Sequence, residues 1–135
     1  MKLHRIALVL CLTLAAALPA QAQPAAAGAD AEAVNLASQV LDRMEAGDFE
    51  GVRTGFNAQM RDGLDVARLA DVQRQIEATG PVLERGEPRV LRHDGYTVVV
   101  FRIQREQAAL DATVAIDGEG RVAGLHFLPA DAGPQ

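Results

Sequence analysis

The spacing of apolar residues changes near the middle of this chain, and the change limits the folds that the chain can adopt. Up to Ile76 the apolar residues recur at intervals of three or four positions, which is the period of a helix with one buried face. From Arg89 onward they alternate with their neighbours, which is the period of a strand. Helices followed by strands predict an α+β domain with the helices on one face of an antiparallel sheet.

Three helices are predicted in the first part of the chain. Asp30, Asp48 and Asp65 suit their N-terminal caps. Gly47 suits the end of the first helix, and Gly80-Pro81 ends the third. The residues predicted to face inward are Val34, Ala37, Leu41 and Met44 in the first helix, Phe49, Val52 and Phe56 in the second, and Val66, Leu69, Val72 and Ile76 in the third.

Two turns divide the second part into antiparallel hairpins. Asp94-Gly95 is a strong signal for a two-residue turn. A second turn at residues 117–120 joins the last two strands, and we expect Ile116 to pair with Arg121 across them. The core face of these two strands is then predicted to comprise Leu110, Ala112, Val114, Ile116, Ala123, Leu125 and Phe127.

Residues 1–22 have the three zones of a secretory signal peptide. A basic start at residues 2–5 precedes an apolar run at residues 6–18, and Ala20-Gln21-Ala22 supplies small residues at the cleavage positions. We therefore expect an exported protein, periplasmic or secreted, whose mature chain begins near Gln23. The apolar run is too short to remain as a membrane anchor.

The only cysteine of the chain, Cys11, lies within this apolar run. Lipid attachment at Cys11 is the alternative to signal removal, although Val9 and Leu10 do not suit a lipoprotein site, which needs small residues before the cysteine. Removal of the signal leaves no thiol. The mature chain therefore has no means of forming a disulfide or a zinc-thiolate site.

The rest of the chain has room for one domain and carries a negative charge. The whole chain has 13 basic and 18 acidic residues, a net charge of −5, and loss of Lys2 and Arg5 with the signal makes that charge more negative. Such a surface repels phosphate groups, so neither nucleic acid nor an anionic membrane is an expected partner. We predict a flexible leader at residues 23–30, one domain at residues 31–129 and a disordered tail at residues 130–135.

Five short motifs occur in order along this domain. They are residues 45–50 (EAGDFE), 56–60 (FNAQM), 80–81 (GP), 95–98 (GYTV) and 120–129 (GRVAGLHFLP). Their order and spacing resemble the domain of unknown function 3887 over residues 33–129. The resemblance implies the cone-shaped cystatin-like fold, also called nuclear transport factor 2-like, in which N-terminal helices close over a curved antiparallel sheet.

The resemblance implies no activity. Related members occur alone or ahead of α/β-hydrolase domains, which is compatible with an accessory role towards an enzyme. Members often carry a tryptophan in the third helix, where this chain has Ala70-Asp71-Val72-Gln73, and the missing aromatic side chain implies a more open cavity. This chain is not itself the hydrolase, because Ser38, the one serine of the mature region, lacks the glycines of a nucleophile elbow.

One pair of residues is a candidate ligand-binding or catalytic site. With the register given above, Asp111 lies opposite His126 on the last two strands, where the carboxylate would orient the imidazole and raise its pKa. A pair of this kind can act as a general base. A surface ion pair is the plainer interpretation, because the pair faces away from Leu110 and Phe127. Neither His93 nor His126 lies in a metal-ligand motif, so we expect no metal and no cofactor.

The strand at residues 96–103 carries apolar residues on both faces, which predicts a covered outer surface. We expect that surface to form a homodimer or to bind an exported partner protein. The residues assigned to this interface are Val99, Phe101, Ile103, Val122 and Leu128.

Two function classes stay open at this point. The first is an exported non-catalytic domain that binds a partner protein or a small apolar ligand. The second is a small enzyme of the isomerase or dehydratase type that transfers a proton in the pocket of the cone. A cavity lined by convergent polar residues would favour the enzyme.

Overall fold

A computed structural model describes residues 24–130, which form four helices and five strands. The predicted signal peptide and residues 131–135 of the predicted tail lie outside the described residues. The helices are α1 (Pro24–Glu45), α2 (Phe49–Thr54), α3 (Ala58–Gly63) and α4 (Val66–Glu77). The strands are β1 (Val82–Arg85), β2 (Arg89–His93), β3 (Tyr96–Arg105), β4 (Ala109–Ile116) and β5 (Val122–Pro129).

The strands form one open antiparallel sheet with the helices packed against it, so the predicted α+β class is confirmed. The central strand β3 pairs with β4 on one side, and β4 pairs with β5 at the edge of the sheet. On its other side β3 pairs with both β1 and β2. Within residues 24–130 no helix is long and apolar enough to cross a membrane.

The helix caps follow the sequence. Asp48 accepts a hydrogen bond from the backbone N–H of Gly51 at 3.0 Å, and Asp65 accepts one from Arg68 at 2.8 Å. Asn57 caps α3 in the same way, with Met60 as donor at 2.9 Å. Helix α3 was not predicted, because it has six residues and buries none of them, which leaves no apolar period to detect.

Helix α1 begins earlier than predicted. It starts at Pro24 and not at Asp30, so it includes residues 24–29 of the segment assigned to a flexible leader. Proline is well suited to the first turn of a helix, and alanine, which occurs repeatedly here, has the highest helix propensity. Residues 24–29 carry no large apolar side chain that a helical period could reveal, whereas their local helix propensity is high.

The hairpin between β2 and β3 forms at the predicted turn. His93 pairs with Tyr96, and the two residues between them have positive φ angles, +48° at Asp94 and +83° at Gly95. This combination is that of a type I′ turn, whose twist matches the twist of the flanking strands.

The hairpin between β4 and β5 differs from the prediction in its register. Ile116 pairs with Val122 and Ala115 pairs with Gly124, which leaves Ala123 as a bulge without a partner. The predicted pairing of Ile116 with Arg121 is therefore wrong. Val122 lies opposite Ile116 on the inward face, where it is fully buried, and the extra residue allows Leu125, three positions later, to face the same way.

The core lies between the helices and one face of the sheet. Most of the inward positions predicted on the helices are buried there, and strands β3, β4 and β5 supply the opposite side. The buried apolar residues of this core are Ala33, Ala37, Val40, Leu41, Met44, Val52, Phe56, Leu69, Val99, Phe101, Ile103, Ala112, Val114, Ile116 and Val122.

Candidate functional site

Asp111 and His126 do not form the predicted pair. In the observed register Asp111 lies opposite Leu128, and His126 lies opposite Thr113. The prediction failed because Ile116 pairs with Val122 and not with Arg121. In addition, the bulge at Ala123 adds a further residue to β5, so that Leu128 takes the place opposite Asp111. His126 is exposed on the face of the sheet that turns away from the helices.

The carboxylate of Asp111 is instead bound by Arg102 of β3. The guanidinium donates from Nε to Oδ1 at 3.0 Å and from Nη2 to Oδ2 at 3.1 Å. Nη2 of Arg89 lies 3.9 Å from the same Oδ2. The hydrogen bonds from Arg102 hold the pKa of Asp111 below its ordinary value. A carboxylate stabilised in this way is a weak base, so this cluster is suited to holding three strands together and not to taking up a proton.

Four of the five predicted interface residues belong to the core. Val99, Phe101, Ile103 and Val122 are each less than 5% exposed, and only Leu128 is on the surface, with 58% of it exposed. Phe101 pairs with Ala112, and Val99 with Val114, so these β3 residues share the inward face of β4. Self-association stays a prediction, but these four residues do not provide its surface.

A groove separates α4 from the β5 edge of the sheet and is the best candidate site within residues 24–130. Its volume is about 380 Å³. Leu125 and Phe127 are only half-buried there, although they lie on the same face of the sheet as the buried core. The groove is lined by Val72, Gln75, Ile76 and Thr79 of α4, Leu110 of β4, and Leu125, His126, Phe127, Leu128 and Pro129 of β5.

Helix α4 leaves this space because its buried face is directed at the other helices. Leu69 is buried in the core and the helix packs on α1 and α2, whereas Ile76, although buried, lines the groove. Val72, on the side towards the groove, is only half-buried. It belongs to the segment from Ala70 to Gln73, which carries no aromatic side chain.

A second cleft, of about 450 Å³, lies between the start of α1 and the turn that follows β4. Its most notable polar group is Asp117, whose Oδ1 accepts hydrogen bonds from the backbone N–H groups of Glu119 and Arg121, both at 3.0 Å. The bond from Arg121 is the main reason that the pKa of Asp117 is lowered. This carboxylate holds the turn in shape, so the cleft is a weaker candidate than the groove.

Metal binding finds no support among the described residues. Within residues 24–130 no group of three or more His, Cys, Asp or Glu side chains could hold a metal ion. His93 is exposed at the β2–β3 turn, with its Nε2 3.1 Å from Asp94. The structure therefore offers an apolar groove and a set of ion pairs as its candidate features.

Sequence reasoning missed the ion pair between Arg105 and Glu45. Arg105 donates to Oε1 of Glu45 and to the carbonyl oxygen of Gly80, both at 2.7 Å, and only 3% of its side chain is exposed. One signal was present: Arg105 follows Phe101 and Ile103 at the strand period, which places it on the core face. Its partner Glu45 lies 60 positions away in the chain, and nothing in the sequence indicates that the two residues meet.

Comparisons with known proteins agree with the sequence motifs. A sequence model of the family described as protein of unknown function (DUF3887) matches residues 37–125. No curated protein gives a significant match. An NMR structure of a protein from Ruminococcus gnavus ATCC 29149 is similar to this chain, with a TM-score of 0.54 and 14% identity over 68% of this chain and 84% of that chain. At this identity the likeness concerns the fold alone.

Proposed function

The chain belongs to the DUF3887 family, and from that premise we propose that it is an exported, non-catalytic domain that binds apolar groups in the groove between α4 and β5. The observation that carries the proposal is the half-burial of Leu125 and Phe127 beside Val72. Concave apolar surfaces with few polar groups are typical of binding sites. The ligand is either an apolar segment of a partner protein or a small apolar molecule.

The arrangement around Asp111 argues against the alternative of a proton-transferring enzyme. A general base needs a free acceptor within reach of the substrate, and Arg102 occupies both carboxylate oxygens. His126 is exposed and faces Thr113 across the strands. Replacement of His126 by glutamine is therefore expected to leave folding, and any turnover, unchanged.

Two finer assignments belong to the same proposal. The arrangement of helices on one face of the sheet supports the cone-shaped cystatin-like fold, also known as nuclear transport factor 2-like.

The signal at residues 1–22 supports export. N-terminal sequencing of the protein from the extracytoplasmic fraction should begin within a residue or two of Gln23, and recovery of a chain that retains Met1 from the cytoplasm would contradict export.

The groove can be tested with the neutral apolar dye Nile red. We expect the wild-type protein to bind the dye with a rise in fluorescence, because the dye leaves water for an apolar surface. Phe127→Ala should weaken this binding at least tenfold. The matched control is Leu83→Ala, which removes an equally apolar side chain that is 64% exposed on β1, outside the groove.

The two variants decide the proposal. Leu83→Ala should change the affinity for Nile red by less than twofold. Equal binding by the wild type and by Phe127→Ala, with both proteins folded by circular dichroism, would contradict the groove as the binding site.

A further inference from the structure

Strand β5 has one hydrogen-bonding side that the sheet does not use. It pairs with β4 on one side and is the last strand of the sheet on the other. Within residues 24–130, backbone hydrogen bonds cover only its first residue on this side, since Val122 donates to Gly55 at 2.8 Å and accepts from Asn57 at 2.9 Å. The chain's own α2–α3 connection therefore already pairs with this edge, at one residue.

The register shows which backbone groups point to the free side. Ala130 donates to the carbonyl of Ala109 at 2.9 Å, so this pair is a hydrogen-bonded pair of the ladder. Hydrogen-bonded and non-hydrogen-bonded pairs alternate along an antiparallel ladder. Leu125 and Phe127, which pair with Val114 and Ala112, are in the non-hydrogen-bonded class. Their N–H and C=O groups point away from β4.

The side chains of the same two residues face the groove. An added strand that bonds to Leu125 and Phe127 would place alternate side chains of its own against α4, beside Val72. Among the residues that line the groove, His126 alone has an ionisable side chain, and that side chain lies on the opposite face of β5 from Leu125 and Phe127. The complementary strand is therefore uncharged and apolar at alternate positions.

We propose that an extended segment of a partner protein binds here as an added strand of the sheet, with apolar side chains at alternate positions in the groove. This proposal rests on the proposed function and names the ligand of that site. Main-chain hydrogen bonds give such complexes affinity, and the pockets for alternate side chains give them specificity. Residues 131–135 (DAGPQ) carry no large apolar side chain, so they are a poor filler for the groove.

The length of the free edge is limited at both ends. Val122 is already covered by the α2–α3 connection, and Pro129 has no N–H to offer. Leu125 and Phe127 lie between these limits. A bound strand is thereby confined to one place along β5, where it can bond to both residues.

The probe for this proposal is a nine-residue fluorescent peptide in which threonine and leucine alternate between two terminal lysines. Two further peptides are N-methylated, one at every leucine amide and the other at every threonine amide. In an added strand either the leucine amides or the threonine amides face β5, and not both. We therefore expect one methylated peptide to bind at least tenfold more weakly than the plain peptide and the other to bind less than threefold more weakly. Equal losses for the two sets would overturn strand addition.

A variant tests the edge from the protein's side. Leu125→Pro removes the free-side N–H without removing a bond to β4, and should weaken peptide binding at least tenfold. Val90→Pro is the control, because Val90 has the same free-side orientation on β2 at the other edge of the sheet. It should change binding by less than twofold. If Leu125→Pro does not fold, the methylated peptides still decide the question.

Failure of this inference is distinguishable from failure of the proposed function. Nile red binding that depends on Phe127, together with no binding of the plain peptide up to millimolar concentration, would overturn strand addition and leave the groove as a site for small molecules. Loss of both kinds of binding would overturn both proposals. A protein that sediments as a dimer, and becomes monomeric with Leu125→Pro, would assign the edge to a second copy of this chain and contradict a separate partner.

Discussion

The two halves of the sheet, β1 to β3 and β4 to β5, contact the helices in different ways. On the side of β1, β2 and β3, three strand arginines reach carboxylates of the single long helix α1. The pairs are Arg92 with Asp30, Arg85 with Asp42, and Arg105 with Glu45. On the side of β4 and β5, no ion pair among the described residues joins a strand to a helix, and α4 leaves a groove.

This difference separates a fixed part of the molecule from a part with room for a ligand. The inward residues of β3, which are Val99, Phe101 and Ile103, are each less than 5% exposed. The guanidinium of Arg85 lies 5.8 Å from the centre of the Phe101 ring. The apolar residues of β5 are half-buried at the other edge. The stability of this domain should therefore depend mainly on the α1 side, and binding on the α4 side.

The same substitution on the two sides should give the clearest contrast. Phe101, Ala112 and Phe127 lie side by side on three neighbouring strands, so the two phenylalanines share one face of the sheet. Phe101→Ala should lower the free energy of unfolding by about 3–5 kcal/mol, because the side chain is almost fully buried. Phe127→Ala should cost about 1–2 kcal/mol, since Phe127 is only half-buried and loses less apolar contact than Phe101. Urea unfolding measures both values, and similar losses would contradict the comparison.

The three ion pairs are expected to differ among themselves. Arg105→Met should destabilise the protein by about 2–3 kcal/mol, because it leaves Glu45 and the Gly80 carbonyl without their donor in a partly buried place. Arg92→Met should cost less than about 1 kcal/mol, since the side chain of Arg92 is 52% exposed.

Thermal and urea unfolding of the two methionine variants provide the measurement. Equal stability of the Arg105 variant and the Arg92 variant would mean that burial of Arg105 does not fix α1 to the sheet.

The smallest expected effect concerns pH and the outward face of the sheet. Arg102 lowers the pKa of Asp111, so the folded state binds a proton at Asp111 less readily than the unfolded state. The resulting stabilisation is present above the unfolded pKa of about 4 and is lost as the pH falls through the lower folded pKa. It should amount to less than about 1 kcal/mol, because the pair is near the surface.

Asp111→Asn tests this effect. The loss of stability between pH 6 and pH 2.5 should be smaller in the variant than in the wild type, and Arg102→Gln should reproduce the change. A variant whose acid sensitivity equals that of the wild type would show that the ion pair contributes nothing measurable.

Much of the fold was predictable from the sequence because its signals are local. Asp48 and Asp65 cap helices as predicted, and Asp94-Gly95 forms the predicted turn. The inward face of β4 was also predicted correctly, since Ala112 and Val114 are fully buried. Each of these features depends on residues that are close together in the chain.

The candidate site was less predictable, because it depends on how distant segments meet. Neither the pairing of Ile116 with Val122 nor the bulge at Ala123 has a strong local signal, and together they made the predicted pairing of Asp111 with His126 wrong. Because β3 carries apolar residues on both faces, its sequence did not decide which face is buried. Arg102 and Gln104 on one of these faces nevertheless indicate the solvent side. Leu125 was predicted to be inward, but its half-burial depends on the distance to α4, which no periodicity encodes.

The bulge at Ala123 has a consequence for how sequences of this kind can diverge. Val122 and Leu125 both face the helices, although they are three positions apart. Deletion of Ala123 would place them two positions apart, so both side chains would keep their inward direction in a regular strand. A gap of one residue at this point of an alignment is therefore compatible with an unchanged core. A gap of one residue within residues 125–128 would instead exchange inward and outward side chains, and selection should remove it.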